Sequence, residues 1–515
     1  MKNGKRKTQN NFEKLNVGNF LQSLSIGLGV SAICLSIFVN AIFAQTENPP
    51  APSAPPTVKI PAVQEKSLPN GLKVVVVERK NVPLVTASLL VKTGGANLED
   101  EAQAGVADMT ASLLLKGTKT RTATQIAEEM EFLGGNINSG ANWSASNVTV
   151  NITSDKLDRA LAIMSDVVLN PTFATKEIQL YKTQTLDALN VQLKQPSALA
   201  NFAASRYTYG EHSAFGTPET IAKIGRADIT NFHGRAFIPN QSVLIFTGDI
   251  TVAQANALAQ KYFGVWKRPK SEIAGEIYGD PRGTNRGARE IVKRILVIDL
   301  PNSGQAAVTY AKKLEEGRVD NRQVSKIYYP ALVANSVLGG GYTNRLNLEI
   351  RIKRGLSYGA RSNVSWRDIN SNFSAGAQTK NVSAAEVAEL LASEIDRIGN
   401  DLVGADELKP RTATLTGNFS RTLETTGGLA AQISELYLYG IDPKELNSYM
   451  QNLQNVTDAQ VKSFAAQNIK GGDIIIVGDY ALFKDDLAKR FPSQTVEVIP
   501  ASQLDLNSDT LRKAR

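Results

Sequence analysis

Asp108 and Ser112 stand four residues apart, with Ala111 between them, in the run Gly105-Val106-Ala107-Asp108-Met109-Thr110-Ala111-Ser112-Leu113-Leu114-Leu115-Lys116-Gly117-Thr118. On a helix, positions i and i+4 share one face, so the side chains of 108 and 112 would lie side by side, with 111 next to them, a spacing at which suitable ligands could share a metal ion. The three residues here are a carboxylate, a methyl group and a hydroxyl, and one carboxylate is not a zinc site. The chain has two histidines, His212 and His233, far too distant in sequence for an i, i+4 pair. His212 beside Glu211 has no metal-ligand spacing, and both histidines read as structural. No Ser/His/Asp constellation has local motif support. Gly339-Gly340-Gly341 is followed by no G-K-[ST], which excludes a phosphate loop. Three basic residues, Arg351, Lys353 and Arg354, fall within four positions, and such a run ordinarily reads as solvated surface. Tyr358 by itself reads as a half-buried strand residue.

The elements that must position these residues form two halves with one outline. In the first half, Asn70-Gly71 turns into a strand at 72–77, and a second strand runs over 84–91. A helix over 122–133 opens on a Thr122-x-x-Gln125 capping box and stops at Gly134. A strand at 146–152, helices at 157–169 and 175–193, and a strand ending in Gly248-Asp249 follow, then a helix to about 263. The second half has strands at 294–299 and 306–311, and helices at 328–338, 346–353 and 384–402. Its last strand ends in Gly478-Asp479, followed by a helix over 482–491. A repeat of this length means duplicated domains rather than a solenoid. The fold class expected is α+β: two homologous domains, each a mixed, mostly antiparallel sheet packed with helices. Their bounds are 64–266 and 291–495, joined by a linker at 267–290 rich in Pro, Gly and charge, with a tail at 496–515.

Of the 515 residues, 42% are hydrophobic and 21% charged, an ordinary balance for soluble globular domains, and the length calls for more than one core. The net charge is +8. Residues 1–44 hold five cations (Lys2, Lys5, Arg6, Lys7, Lys14) and one anion (Glu13), leaving only +4 for the rest, too little to argue for nucleic acid. An uncharged, apolar stretch follows the basic N-terminus. It reads as a signal peptide over 1–44, with an uncleaved membrane anchor through residues 15–44 as the rival reading. Cys34, the one cysteine, lies inside it, and Ile33 is too bulky for lipoprotein cleavage there. The mature chain would hold no disulfide. The proline-rich stretch 45–63 reads as a semi-rigid tether.

The run 105–118 resembles G-L-A-H-F-L-E-H-M-L-F-K-G-T of the insulinase/pitrilysin zinc peptidases. Its frame is kept, while the family's H-x-x-E-H falls on Asp108, Ala111 and Ser112. The family's third ligand, a glutamate on a later helix, falls on Ala188, next to Asp187. The run Gly339 to Tyr358 is similar to the family's G-G-G-x-x-S-R-L-x-x-x-I-R-x-x-x-G-L-x-Y. Leu68-Pro69-Asn70-Gly71, Leu133-Gly134-Gly135 and Pro239-Asn240 also match, so the resemblance covers roughly residues 63–495. His212 falls in a stretch that resembles the family's Y-x-x-H-P-Y-G, where it is structural.

The resemblance implies an arginine and a tyrosine, here Arg351 and Tyr358, that reach across a cavity to a zinc-bearing half. A guanidinium can hold a peptide carbonyl or carboxylate, and a phenol can donate to a developing oxyanion. It also implies that two chains close around the cavity. The function expected is therefore a non-catalytic partner subunit of an exported heterodimeric zinc peptidase, inactive alone. It would hold no metal or cofactor itself, with zinc in a homologous partner subunit and unfolded peptide as the shared substrate. Its place would be the periplasm or envelope of a bacterium. The competing readings are a peptide-binding pseudopeptidase with no role in hydrolysis, and independent hydrolysis through another site. Asn142, Asn147 and Asn151 head N-glycosylation triplets, a weak signal.

Overall fold

The computed structural model describes residues 60–267 and 294–513. The signal-peptide segment 1–44, the tether up to residue 59 and nearly all of the expected linker lie outside these bounds. Among the described residues, no helix is long and apolar enough to cross a membrane.

Two six-stranded sheets carry the chain. The first contains β1 (Gln64–Ser67), β2 (Lys73–Glu78), β3 (Leu84–Val91), β4 (Asn136–Ala141), β5 (Ser146–Thr153) and β6 (Ser242–Gly248), in the order β1-β2-β6-β3-β5-β4. Only β2 and β6 run parallel. The second half supplies β7 (Ile295–Asp299), β8 (Ala306–Lys313) and a small hairpin of β9 (Val319–Asp320) and β10 (Gln323–Val324). It then supplies β11 (Ala360–Ser365), β12 (Asn372–Thr379), β13 (Asp473–Gly478) and β14 (Val496–Pro500). The second sheet runs β11-β12-β8-β13-β7-β14, with β13, β7 and β14 parallel. From β2 to β4 and from β7 to β11 the two orders coincide. The two Gly-Asp turns end the equivalent strands β6 and β13. The expected α+β duplication holds.

The outermost strand breaks the symmetry. β1 reaches β2 from the N-terminal side, whereas β14 reaches the equivalent β7 from the C-terminal side. The segment 496–515, expected as a tail, is therefore corrected. Val496–Pro500 is a sheet strand, and Leu511 beyond it is fully buried. Val-Glu-Val-Ile between Thr495 and Pro500 is too short for its alternation to stand out.

Burial follows the pleat. In β5 the even positions Ser146, Val148, Val150 and Ile152 are buried, and the odd ones are half-buried. One face of the first sheet packs on helices α1 (Val106–Leu113), α2 (Ala123–Phe132), α3 (Leu157–Leu169), α4 (Thr175–Gln192) and, after α5 (Pro196–Ala204), on α6 (Val252–Phe263). In the second sheet the same side meets α7 (Tyr328–Leu338) and α8 (Ala384–Asn400). The capping box of α2 forms as expected: Gln125 N donates to Thr122 Oγ1 and Thr122 N to Gln125 Oε1.

Each sheet's other face is covered by the opposite half. Val75, Val77, Leu90, Val243 and Ile245 of the first sheet pack on helices α9 (Ala405–Glu424), α10 (Thr426–Tyr439) and α11 (Glu445–Gln454), through Phe419, Leu429, Ile433, Leu436 and Leu446. In return, Leu199, Ala203, Tyr207 and Tyr209, on α5 and the turn after it, pack on Leu296, Ile298, Ile475 and Val477 of the second sheet. Tyr209 Oη donates to the Phe373 carbonyl, and Thr247 Oγ1 to that of Thr426. Gly248, at the end of β6, has φ 126°, and a Cβ there would lie 2.1 Å from the Leu84 oxygen. Only glycine fits this crossing of β6 and β3.

Candidate functional site

Helix α1 starts where the zinc-helix frame predicts. Gly105 before it has φ 97°, and a Cβ there would sit 3.0 Å from Gly216 N. Glu99, buried ahead of the helix, accepts from Ala107 N at 3.1 Å. Its other oxygen lies 3.5 Å from His212 Nε2. The charge sits where the amide dipoles of the first turn favour an anion. The His212 ring rests 5.0 Å from that of Trp143. His233 donates from Nε2 to the Val168 carbonyl at 2.9 Å, between Phe173 and Phe237. Burial pushes its pKa down, favouring the neutral ring. Both histidines are packing residues.

Asp108 and Ser112 do share one helix face, and that face meets α4. Tyr181 on α4 donates from Oη to Asp108 Oδ2 at 2.8 Å, and lies 3.3 Å from Ser112 Oγ. One phenol thus bridges two of the positions where the family pattern has metal ligands. Ala111 lends only its carbonyl, which accepts from Ser139 Oγ of β4 at 2.8 Å. Ala188 is exposed, two helical turns beyond Tyr181 on the same face of α4. Burial pushes the Asp108 carboxyl up, the Tyr181 hydrogen bond pulls it partly back, and the charge of Glu99 adds to the rise. Burial and then the Asp108 charge push the Tyr181 phenol up to about 12, so it stays protonated and remains a donor.

This donor set does not fit zinc. Zinc takes imidazole, thiolate and carboxylate ligands in a closed tetrahedron or with one open position. The only anion here is Asp108, already held by a phenol. Among the described residues no group of three His, Cys, Asp or Glu side chains is arranged to hold a metal ion. Sequence reasoning found Asp108, Ala111, Ser112 and Ala188 but missed Tyr181. The available signal was its place two turns before Ala188 on the same helix face.

Arg351 and Tyr358 lie in the second half. Residues Asn347–Ile352 form a π-helical turn rather than the expected α-helix over 346–353. Such wide turns recur at functional sites. Tyr358 precedes the edge strand β11 and is 91% exposed. Arg351 Cζ lies over two rings, 4.9 Å from the centroid of Tyr358 and 4.9 Å from that of Tyr342, which is itself 63% exposed. Its basic neighbours are committed elsewhere. Lys353 and Arg354 both bind Glu349, at 2.5 and 2.6 Å, and hold that carboxyl below its usual range. Arg345 pairs with Glu407 at 2.7 Å. No carboxylate lies within ion-pair distance of Arg351 among the described residues. Lys353 and Arg354 are thus paired surface charges, whereas half-buried Arg351 contacts two rings and no acid among the described residues. Tyr342 was not singled out from sequence, although it lies inside the matching run. No hydrogen bond, ion pair or ring contact joins Arg351 or Tyr358 to Asp108, Ser112 or Tyr181 among the described residues.

Residues 73–215 match the sequence profile described as Insulinase (Peptidase family M16), and residues 223–410 that of the Peptidase M16 inactive domain. An uncharacterized zinc protease of Mycobacterium leprae is 24% identical over 428 residues, covering 81% of this chain and 91% of its own. One of Bacillus subtilis is 21% identical over 422 residues, 80% and 95% of the two chains. Among solved structures, a peptidase M16 inactive domain from Pseudomonas fluorescens superposes with TM-score 0.71 at 24% identity, over 85% of this chain and 99% of that one. A protease from Helicobacter pylori gives 0.74 at 18%, over 82% and 100%. The periplasmic protease PqqL from Escherichia coli gives 0.65 at 16%, over 87% of this chain and 52% of that one. With its duplicated sheets, its kept helix frame and its exchanged ligand positions, this chain belongs to the insulinase (M16) peptidase family and lacks the family's metal-binding residues.

Proposed function

We propose that this chain is the non-catalytic subunit of an exported, two-chain zinc peptidase. A homologous partner carries the metal, and this chain closes the chamber and supplies Arg351 and Tyr358 to the unfolded peptide bound there. The observation that carries this reading is a contrast between two sites. Tyr181 bridges Asp108 and Ser112 where metal ligands would be needed, while Arg351 keeps its guanidinium against two exposed rings, with no acidic partner among the described residues.

The division of labour follows from the chemistry. Asp108, Ala111, Ser112 and Ala188 do not make the ligand set that would hold a zinc ion and acidify its bound water, so in this proposal the metal chemistry falls to the partner. A positioned guanidinium and phenol can still orient a peptide carbonyl and donate to the oxyanion that forms on it. Strand β4 adds a second support. It is the edge of its sheet and is tied to α1 by Ser139, so an extended peptide can pair along it by main-chain hydrogen bonds. The basic, apolar N-terminus and the periplasmic relative support export.

The test mixes the purified chain with a zinc-bearing homologue from the same cell and follows hydrolysis of an unfolded peptide. Removing one transition-state donor costs about 100-fold or more in rate. Arg351→Ala and Tyr358→Phe are expected to lower the rate of the mixture without preventing its assembly. An unchanged rate with both variants removes the shared site and leaves a peptide-binding pseudopeptidase. Hydrolysis by this chain alone contradicts the proposal outright.

A further inference from the structure

We infer that Tyr342, Arg351 and Tyr358 form a clamp for a carboxylate, and that its ligand is the free C-terminal carboxylate of a peptide. This rests on the proposed peptide-handling role and deepens it, by adding Tyr342 and naming the chemical group the site takes.

Three observations converge. First, the guanidinium has no acidic partner among the described residues, although every other cation of the run has one: Arg345 with Glu407, Lys353 and Arg354 with Glu349. Arg354 also reaches Glu386 at 3.8 Å, so among the described residues Arg351 is the one cation of this segment without an acidic partner. Second, the two tyrosine rings hold it. Cation–π contact favours the guanidinium position, and no hydrogen bond or ion pair takes up its N–H groups among the described residues. A planar fork of donors matches the two oxygens of a carboxylate, and a single carbonyl oxygen uses only half of it. The phenol of Tyr358 supplies a further donor in this proposal.

Third, the surroundings suit the end of an unfolded chain. Leu348 and Ile352, on the same π-helical turn as Arg351, are exposed apolar residues. They offer a surface for the side chain that precedes the terminus. Tyr342 is here a positioning residue: its ring holds Arg351, and the proposal does not need its hydroxyl.

The experiment uses the full chain and a fluorescein-labelled unfolded peptide without Asp or Glu. The peptide is made with a free C-terminus, as the C-terminal amide, and as an amide with one internal Glu. Binding is read by anisotropy at about 50 mM salt, where screening is weak. The free acid is expected to bind ~10-fold or more tightly than the amide, the scale of one charge-assisted pair. That preference should vanish in Arg351→Ala, fall in Tyr342→Ala and persist in Tyr342→Phe. An upfield-shifted arginine Hε resonance that Tyr342→Ala moves and Tyr342→Phe keeps would separate positioning from general structure.

Binding of the internal-Glu amide as tightly as the free acid supports the carboxylate clamp but assigns its ligand to acidic side chains. Equal binding of acid and amide, no binding of either, or a wild-type preference in Tyr342→Ala overturns the clamp. The hydrolysis assay is a separate readout. A rate that responds to Arg351→Ala without any acid preference removes the clamp and leaves the shared active site. An acid preference without a rate effect does the reverse.

Discussion

Replacing Tyr181 by Phe isolates what holds the vestigial metal position together. The ring and its packing stay, and the hydroxyl goes. What is lost is one hydrogen bond of 2.8 Å to the Asp108 carboxylate and a weaker contact of 3.3 Å to Ser112. A hydrogen bond to a charged group contributes about 1.5–3 kcal/mol, and a half-buried carboxylate left without its donor keeps its desolvation penalty. For a chain of this size, that loss lowers the melting temperature by about 2–3 °C near neutral pH. The sign with pH is fixed by the direction of the shift. The folded Asp108 pKa already lies above its unfolded value because of burial, and the Tyr181 bond is what pulls it down. Removing the bond raises it further, so the folded variant takes up its proton at higher pH than wild type. Stability tied to a raised acid is present at low pH and lost as pH rises through the folded pKa. The deficit of Tyr181→Phe should therefore be largest near pH 7 and shrink as pH falls toward ~5. Differential scanning fluorimetry across that range reads it. No deficit at neutral pH, or one that grows on acidification, refutes the account of Tyr181 as the partner of an ionised Asp108.

Asp108→Asn keeps an acceptor for Tyr181 and removes the buried charge, so it should melt no lower than wild type near neutral pH, with any gain disappearing in acid; the same scans check it. Restoring the family residues with Asp108→His, Ala111→Glu, Ser112→His and Ala188→Glu should give sub-stoichiometric zinc by elemental analysis while Tyr181 remains, and more once Tyr181→Ala opens the site. Gly248→Ala forces a Cβ to 2.1 Å from the Leu84 oxygen at φ 126°, and should cost at least ~3 kcal/mol by denaturant titration, or abolish soluble expression.

Local signals carried much of the fold. The Thr122 capping box, the β-branched runs of β2 and β3 and the Gly-Asp strand ends are properties of neighbouring residues, and a sequence displays them directly. The missing metal ligands were legible for the same reason, since i, i+4 spacing is local. What covers a sheet from the far side is not. Nothing in Leu199 or Ile433 says which half it will pack on, because an apolar stripe records that it is buried and not against what. Tyr181 was missed because its role needs two helices brought together. The π turn at 347–352 reads as ordinary helix, since the period of apolar residues over six positions does not separate the two. β14 was lost because a short edge strand with a single buried residue, Ile499, has little pattern to show.

The exchange of helices between the two sheets has a consequence for how the molecule comes into being. When the first half emerges, the outer side of its sheet is still bare; its cover, α9 to α11, is encoded more than a hundred residues later. Neither half covers both faces of its sheet by itself, and each closes over the other like two hands gripping each other's wrists. Once closed, the grip makes the peptide link between Lys267 and Arg294 dispensable. A protease that cuts the chain there should leave two fragments that travel together through gel filtration and part only when denatured.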